Sequence, residues 1–233
     1  YDEYGMVHVD YWTQQSLAHY PKDAVMTPYV SSHDTERFVS QATYRGQDAA
    51  HPRDRVKNKW ATDPGGLPAA PSDDEPYHRA RVAFTWLLTQ PGAPLLYYGD
   101  EYGEFGGSDP DNRHMFRPDA QRNAREKALF AELQKVTQAR SELVALRRGE
   151  YRSVSATEHL LTFARVHEQQ SALVLINRSK HTLTPTITLP TDLPLGGATE
   201  LRRFLEPSAA KVSITAGKIS VSLPPRSAMI LAP

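Results

Sequence analysis

The sequence contains no cysteine, so neither a disulfide nor a thiolate-ligated metal site is available to it. That absence leaves the compartment open, because many exported bacterial proteins also lack cysteine. An excess of one charge sign is missing too: 27 basic and 27 acidic side chains cancel. A nucleic-acid binder needs a basic footprint to neutralise phosphates, so the charge balance argues against that class. Long hydrophobic runs are absent. Leu173–Ile176 is representative of the cleanest ones, and a membrane-spanning helix needs about 20 apolar residues. The opening Tyr1-Asp2-Glu3-Tyr4 has no initiator methionine, and no basic-then-apolar signal peptide follows. The chain therefore reads as the mature or truncated form of something longer. What it does have is 233 residues, 39% of them apolar. That is enough for one large domain or two smaller ones around a sizeable core.

Turn residues divide the chain unevenly. Residues 11–23 read as a helix end closed by Pro21, and residues 24–31 as a short buried strand with a bulge or end at Pro28. From Arg45 to Glu75, Gly and Pro alternate with charges, which predicts a loop of about thirty residues with a helical turn near Arg53–Trp60. Ser72-Asp73-Asp74-Glu75-Pro76 combines capping residues, first-turn acids and an early proline. It predicts a helix running to about Thr89, with Ala80, Ala83, Phe84, Leu87 and Leu88 on its buried face. After Pro91-Gly92, the apolar run Ala93–Tyr98 suits a strand buried on both faces. A glycine-rich polar loop follows to about Ala120. Leu129, Leu133, Val136, Leu143 and Leu146 then predict one long helix from about Arg122 to Arg148, stopped by Gly149.

Beyond Tyr151 the pattern changes to short alternating segments. These are Leu160–Val166, Leu173–Asn177, Leu183–Leu189, Ala198–Phe204, Lys211–Ile214, Lys218–Leu223 and Ala228–Leu231. Short strands at this spacing predict a small antiparallel β domain. The expected division is an α/β part over 1–149 and an all-β part over 150–233.

Chemistry concentrates at two strand ends. Ser31-Ser32-His33-Asp34 leaves the first, and Tyr97-Tyr98-Gly99-Asp100-Glu101 leaves the second, followed by Asp109-Pro110-Asp111-Asn112-Arg113. In a parallel barrel such ends face the active site. The plain alternative makes Asp34 a helix cap and His33 a buried hydrogen bonder. Asp100, Glu101, Glu104, Asp109 and Asp111 gather near an arginine and several rings, which suits neutral polyhydroxyl ligands. An ordinary solvated loop or a calcium loop would use the same oxygens, though the EF-hand pattern is absent. Trp60 is a candidate for stacking a sugar, with loop packing as its alternative. Glu36 and Arg37 read as ion-pair or capping residues that position the loop, with ligand contact as the alternative. The nine histidines show no zinc spacing.

These residues together resemble the alpha-amylase family, glycoside hydrolase family 13. The resemblance rests on His33-Asp34 after a buried strand, on Gln90-Pro91-Gly92-Ala93-Pro94-Leu95-Leu96-Tyr97-Tyr98-Gly99-Asp100-Glu101, and on Asp109-Pro110-Asp111-Asn112-Arg113. Leu143–Gly149 with Ala172–Ser179 is similar to the last barrel helix and early β domain of the same family, so the likeness spans nearly the whole chain. It leans toward neopullulanases and cyclomaltodextrinases. The resemblance implies that 24–31 and 93–98 are strands 7 and 8 of a (β/α)8 barrel, and that 150–233 is a C-terminal antiparallel β-sandwich. It implies that His33 binds hydroxyls of the sugar at the cleavage point. Asp34 would be the catalytic carboxylate that neither attacks nor donates a proton but grips hydroxyls in the oxocarbenium-like transition state. Asp109 and Arg113 would bind the neighbouring glucose.

A retaining glycosidase also needs a nucleophile and an acid/base about 5 Å apart. No Gly-x-Arg-x-Asp is present, and Val7-His8-Val9-Asp10, which alternates like a strand, lacks the arginine and glycine. The nucleophile aspartate and acid/base glutamate are expected upstream of residue 1. An N-terminal fragment of the same protein would complete the barrel, since two strands cannot close one, and this chain alone would be inactive. The resemblance implies no metal or cofactor on this chain, with calcium on the upstream part. Its substrates would be starch-like glucans, maltooligosaccharides or cyclodextrins, and polymeric substrates favour a secreted or periplasmic location. Transglycosylation, including maltose–trehalose interconversion, uses the same carboxylates. A non-catalytic glucan-binding relative remains open, and a free-standing carbohydrate-binding module would fit residues 150–233 only.

Overall fold

The computed structural model describes residues 4–21, 23–43, 56–206 and 210–233. The chain divides into two compact units: Tyr1–Pro28 with Leu88–Pro94 and Lys135–Pro233, and Tyr29–Leu87 with Leu95–Gln134.

The first unit is built on a β-sandwich. Its eight strands are β1 (Glu150–Ala156), β2 (Leu160–His167), β3 (Gln170–Asn177), β4 (Thr186–Thr188), β5 (Glu200–Arg203), β6 (Lys211–Ser213), β7 (Lys218–Ser220) and β8 (Ser227–Ala232). Six form one sheet in the order β1-β2-β3-β8-β5-β6, and β4 pairs with β7 in a second. Every pairing between these strands is antiparallel. Each of the seven segments expected from alternation contains a strand, though those over 183–189, 198–204 and 218–223 are shorter than expected. β1 is additional, because its Tyr-Arg-Ser-Val-Ser sequence is only half-buried and gives a weak apolar signal.

Alternation dictates which face each residue meets. Leu160, Ala164, Leu173, Leu175 and Leu231 pack with Ile187 and Ile219 from the small sheet. Burying each large side chain contributes about 1.5–3 kcal/mol. The opposite face carries Leu161, Phe163 and Arg165, all fully buried. There β2 meets two helices, α1 (Met6–His19) and α5 (Val144–Arg148).

Helix α1 corrects the strand-like reading of Val7–Asp10. Its first amides lack a side-chain cap. The β1–β2 turn accepts them instead, Met6 N–H on the Glu158 carbonyl at 3.0 Å and Val7 N–H on that of Thr157 at 3.1 Å. Asp10 is then buried against Tyr151 Oη at 2.6 Å and Ser153 Oγ at 2.7 Å. The helix ends at His19, as Pro21 predicts.

The second unit contains α2 (Phe38–Thr43), most of α3 (Glu75–Leu88) and the first part of α4 (Ala124–Glu142). Helix α3 starts and stops where its sequence signals lie, and Ala80, Phe84, Leu87 and Leu88 are buried. The single long helix expected over Arg122–Arg148 is two. Leu143 is extended at φ −93°, ψ 107°, and separates α4 from α5. The apolar spacing runs through the break without a phase change, so periodicity could not reveal it. Of the expected thirty-residue loop, 45–55 lie outside the described residues. Val56–Lys57 is helical and the rest up to α3 is irregular.

The expected strands 24–31 and 93–98 are not ladders. Among the described residues they share a single parallel bridge, Tyr29 to Leu95. Nor are they buried: Val25 is 75% exposed and Leu95 40%. A strand exists through partners on its edges, and no further strand flanks these segments among the described residues. No described helix is long and apolar enough to cross a membrane.

Candidate functional site

The candidate residues belong to the second unit. His33 and Asp34 form the tip of a tight turn closed by its own side chains. Ser32 N–H donates to Thr35 Oγ1 at 2.8 Å, and Asp34 N–H donates to Ser32 Oγ at 3.2 Å. Serine and threonine favour such local bonds over continued regular structure. The two candidate side chains point outward, 64% and 72% exposed, with His33 Nε2 at 3.3 Å from Asp34 Oδ2. His33 is therefore not the buried hydrogen bonder of the alternative reading.

The 109–113 loop meets this turn. Arg113 Nε pairs with Asp109 Oδ1 at 2.9 Å and donates to the His33 carbonyl at 3.4 Å. Asn112 is fully buried, and its amide donates to the carbonyls of His33 and Thr35 at 2.8 Å each. His33, Asp34, Asp109 and Arg113 are thus brought together. Trp60 is 58% exposed and makes no hydrogen bond or ring contact with these four among the described residues. Its own N–H is bound by Asp63 Oδ2 at 3.1 Å. Its loop is tied to the neighbourhood of Asp109 through Ser108 N–H on the Val56 carbonyl, 2.8 Å.

Beneath the turn lies a group that sequence reasoning only partly found. Arg37 is fully buried and contacts Asp100 Oδ1 at 3.2 Å. It also donates to the carbonyls of Tyr98 at 2.6 Å and Asn112 at 2.8 Å. Its guanidinium lies 4.1 Å from the Tyr97 ring centre and 4.9 Å from that of Tyr98. Asp100 also accepts from Ser31 Oγ at 2.6 Å. Burial pushes its carboxyl above the ordinary carboxylate range, against the opposing pull of Ser31 and Arg37. The ion pair read for Arg37 is present, but its partner lies 63 residues away and no local spacing identifies it.

The five acids do not form one open, acid-rich cleft. Glu101 accepts Gly99 N–H at 2.7 Å, and Asp111 accepts Gly107 N–H at 2.6 Å. Glu104 is buried with Tyr102 Oη and Arg117 Nε at 2.9 Å each. His114 and Arg117 hold its carboxyl at about 2, overcoming burial, which acts in the other direction. Arg117 also grips Glu126, at 2.6 Å. Of these five, only Asp109 keeps a half-exposed carboxylate. Among the described residues, no three His, Asp or Glu side chains gather as metal ligands.

No protein-family model matches the chain. Curated relatives do. A beta/alpha-amylase of Paenibacillus polymyxa is 29% identical over 198 residues, covering 85% of this chain and 14% of that protein. A cyclomaltodextrinase of a Bacillus species is 30% identical over 175 residues, 72% of this chain and 25% of its own length. Among solved structures, an Anoxybacillus alpha-amylase is similar with a TM-score of 0.70 at 25% identity, over 96% of this chain and 41% of that one. This chain thus spans a quarter or less of the length of these two curated relatives.

Proposed function

Homology to part of the alpha-amylase superfamily is the premise from which we propose that this chain forms one wall of the active site of a retaining glycoside hydrolase. The reaction proposed is cleavage of α-glucosidic bonds in starch-like glucans, maltooligosaccharides or cyclodextrins. Residues 1–149 are assigned to the closing part of the catalytic barrel, with 24–31 and 93–98 at the positions of its strands 7 and 8. Residues 150–233 are the appended β-sandwich. An N-terminal part of the same protein supplies the nucleophile aspartate and the acid/base glutamate and covers the exposed apolar segments. Any calcium the complete protein uses belongs to that part. An extracytoplasmic location fits a polymeric substrate.

The observation that carries this reading is the outward-facing His33–Asp34 pair on a turn whose main chain is held by Asn112 and Arg113. A carboxylate accepts strong hydrogen bonds from sugar hydroxyls. Held in place beforehand, it favours the charge that develops at the anomeric carbon without reorganising during the reaction. His33 adds a donor or acceptor beside it. Asp109 and Arg113 offer one acceptor and one donor group to the adjoining glucose, and Trp60 an apolar face at the rim. Asp34 neither forms nor breaks a bond.

The test is glucan hydrolysis by the complete protein carrying Asp34→Asn. Turnover should fall by about 10²–10³-fold, the scale of a lost transition-state contact. The thermal midpoint should stay unchanged, because the side chain is exposed. Normal turnover by that variant would overturn the assignment.

A further inference from the structure

We infer that Arg37 is a positioning residue for the proposed reaction, acting through Asn112 to hold Asp34 in place. This rests on the reading of Asp34 given above.

Three observations carry it. First, Arg37 joins three chain segments at one buried point: its own, the carbonyl of Tyr98 with the carboxylate of Asp100, and the main chain of Asn112. Second, Asn112 passes the constraint on, since its amide binds the carbonyls on both sides of Asp34. Fixing Asn112 from one side and the turn from the other leaves Asp34 little freedom to drift. Third, Arg37 is poorly explained as core filling. It is 0% exposed, yet among the described residues its Nη2 has no hydrogen-bond partner, and neither has Asn112 Oδ1. A buried charge pair is costly to desolvate, and apolar residues of similar volume often serve stability as well or better. What an apolar residue cannot do is bind two carbonyls and a carboxylate while lying against the rings of Tyr97 and Tyr98. The planar, multiply donating guanidinium does this, and a lysine ammonium does not reproduce it.

The experiment compares Arg37→Lys, Asn112→Ala, their double variant and Asp34→Asn in the complete protein, measuring kcat and KM separately, with circular dichroism to confirm folding. Arg37→Lys should lower kcat by about a hundredfold, the scale of a small misplacement at a reacting centre, with KM little changed. Asn112→Ala should do the same. Adding Arg37→Lys to Asn112→Ala should then cost little more, because both act along one line. Unchanged kcat in Arg37→Lys beside an inactive Asp34→Asn would overturn the inference and leave the site reading standing. Equal losses that simply add in the double variant would also overturn it. An active Asp34→Asn would overturn the site reading itself and the inference with it. If Arg37→Lys does not fold, Asn112→Ala decides alone, and a normal kcat there refutes the positioning role.

Discussion

Asn112 brackets Asp34: one buried amide nitrogen binds the carbonyl before it and the carbonyl after it at the same distance, 2.8 Å. The outward carboxylate therefore sits on a main chain fixed from beneath. Asn112→Ala should leave two carbonyls short of a donor and cost about 1–3 kcal/mol. Urea unfolding would measure this as a lower midpoint at unchanged slope.

Arg113 and Asp109 face water on the same loop, 44% and 50% exposed. A surface pair of this kind contributes only about 0–1 kcal/mol to stability. Arg113→Ala in the complete protein should therefore leave the thermal midpoint almost unmoved. Under the proposed function it should raise KM for maltooligosaccharides, as steady-state kinetics would show.

Glu104 makes stability depend on acid. Its folded pKa of about 2 lies below the ordinary 4.5. The unfolded chain therefore takes up this proton first as pH falls. The contribution is complete above about pH 4.5 and is lost progressively toward pH 2. Glu104→Gln should flatten the stability profile in that window, as unfolding midpoints across pH 2–5 would record.

His114 acts with the opposite sign. Its bond to Glu104 holds the imidazolium above its ordinary pKa, against burial, and Asp111 reinforces it. The stabilisation is present below the unfolded value of 6.5 and is lost as pH rises through the higher folded value. His114→Gln should remove this loss, which thermal midpoints from pH 6 to 9 would test.

Gly92 sits at φ +87° after Pro91. A Cβ there would overlap the Met26 carbonyl oxygen, which accepts the Ala93 N–H. Gly92→Ala should cost more than the roughly 1–2 kcal/mol of left-handed backbone alone. Chemical denaturation would show it.

The β-sandwich was legible because each strand carries its own alternation and its own bounding turns. β1 escaped because a half-buried strand of serines and an arginine has little alternation to read. The segments 24–31 and 93–98 read as buried strands but share only one bridge among the described residues, for the converse reason. Their apolar residues describe surroundings that flanking elements would have to supply. At the site, His33, Asp34, Asp109 and Arg113 could be picked out as a motif. The Arg37–Asp100 pair and the Asn112 bracket could not, because each depends on which distant segments the fold brings together. Composition also could not show that Glu104 and Asp111 face inward to Arg117 and His114.

The separation of those segments has a kinetic side. Ser31 and Asp100 meet across 69 residues. Closing a loop of that length costs roughly 4 kcal/mol in chain entropy, from the length term alone. The site is therefore a non-local product of folding, and contacts of this separation slow it. A peptide cleavage near Gly65–Gly66 would leave every contact drawn here intact. It would, however, turn the meeting of the two halves from an intramolecular event into a bimolecular one. The effective concentration, about millimolar for a short flexible tether, would give way to the concentration in the tube, and the turn bearing Asp34 would come apart on dilution.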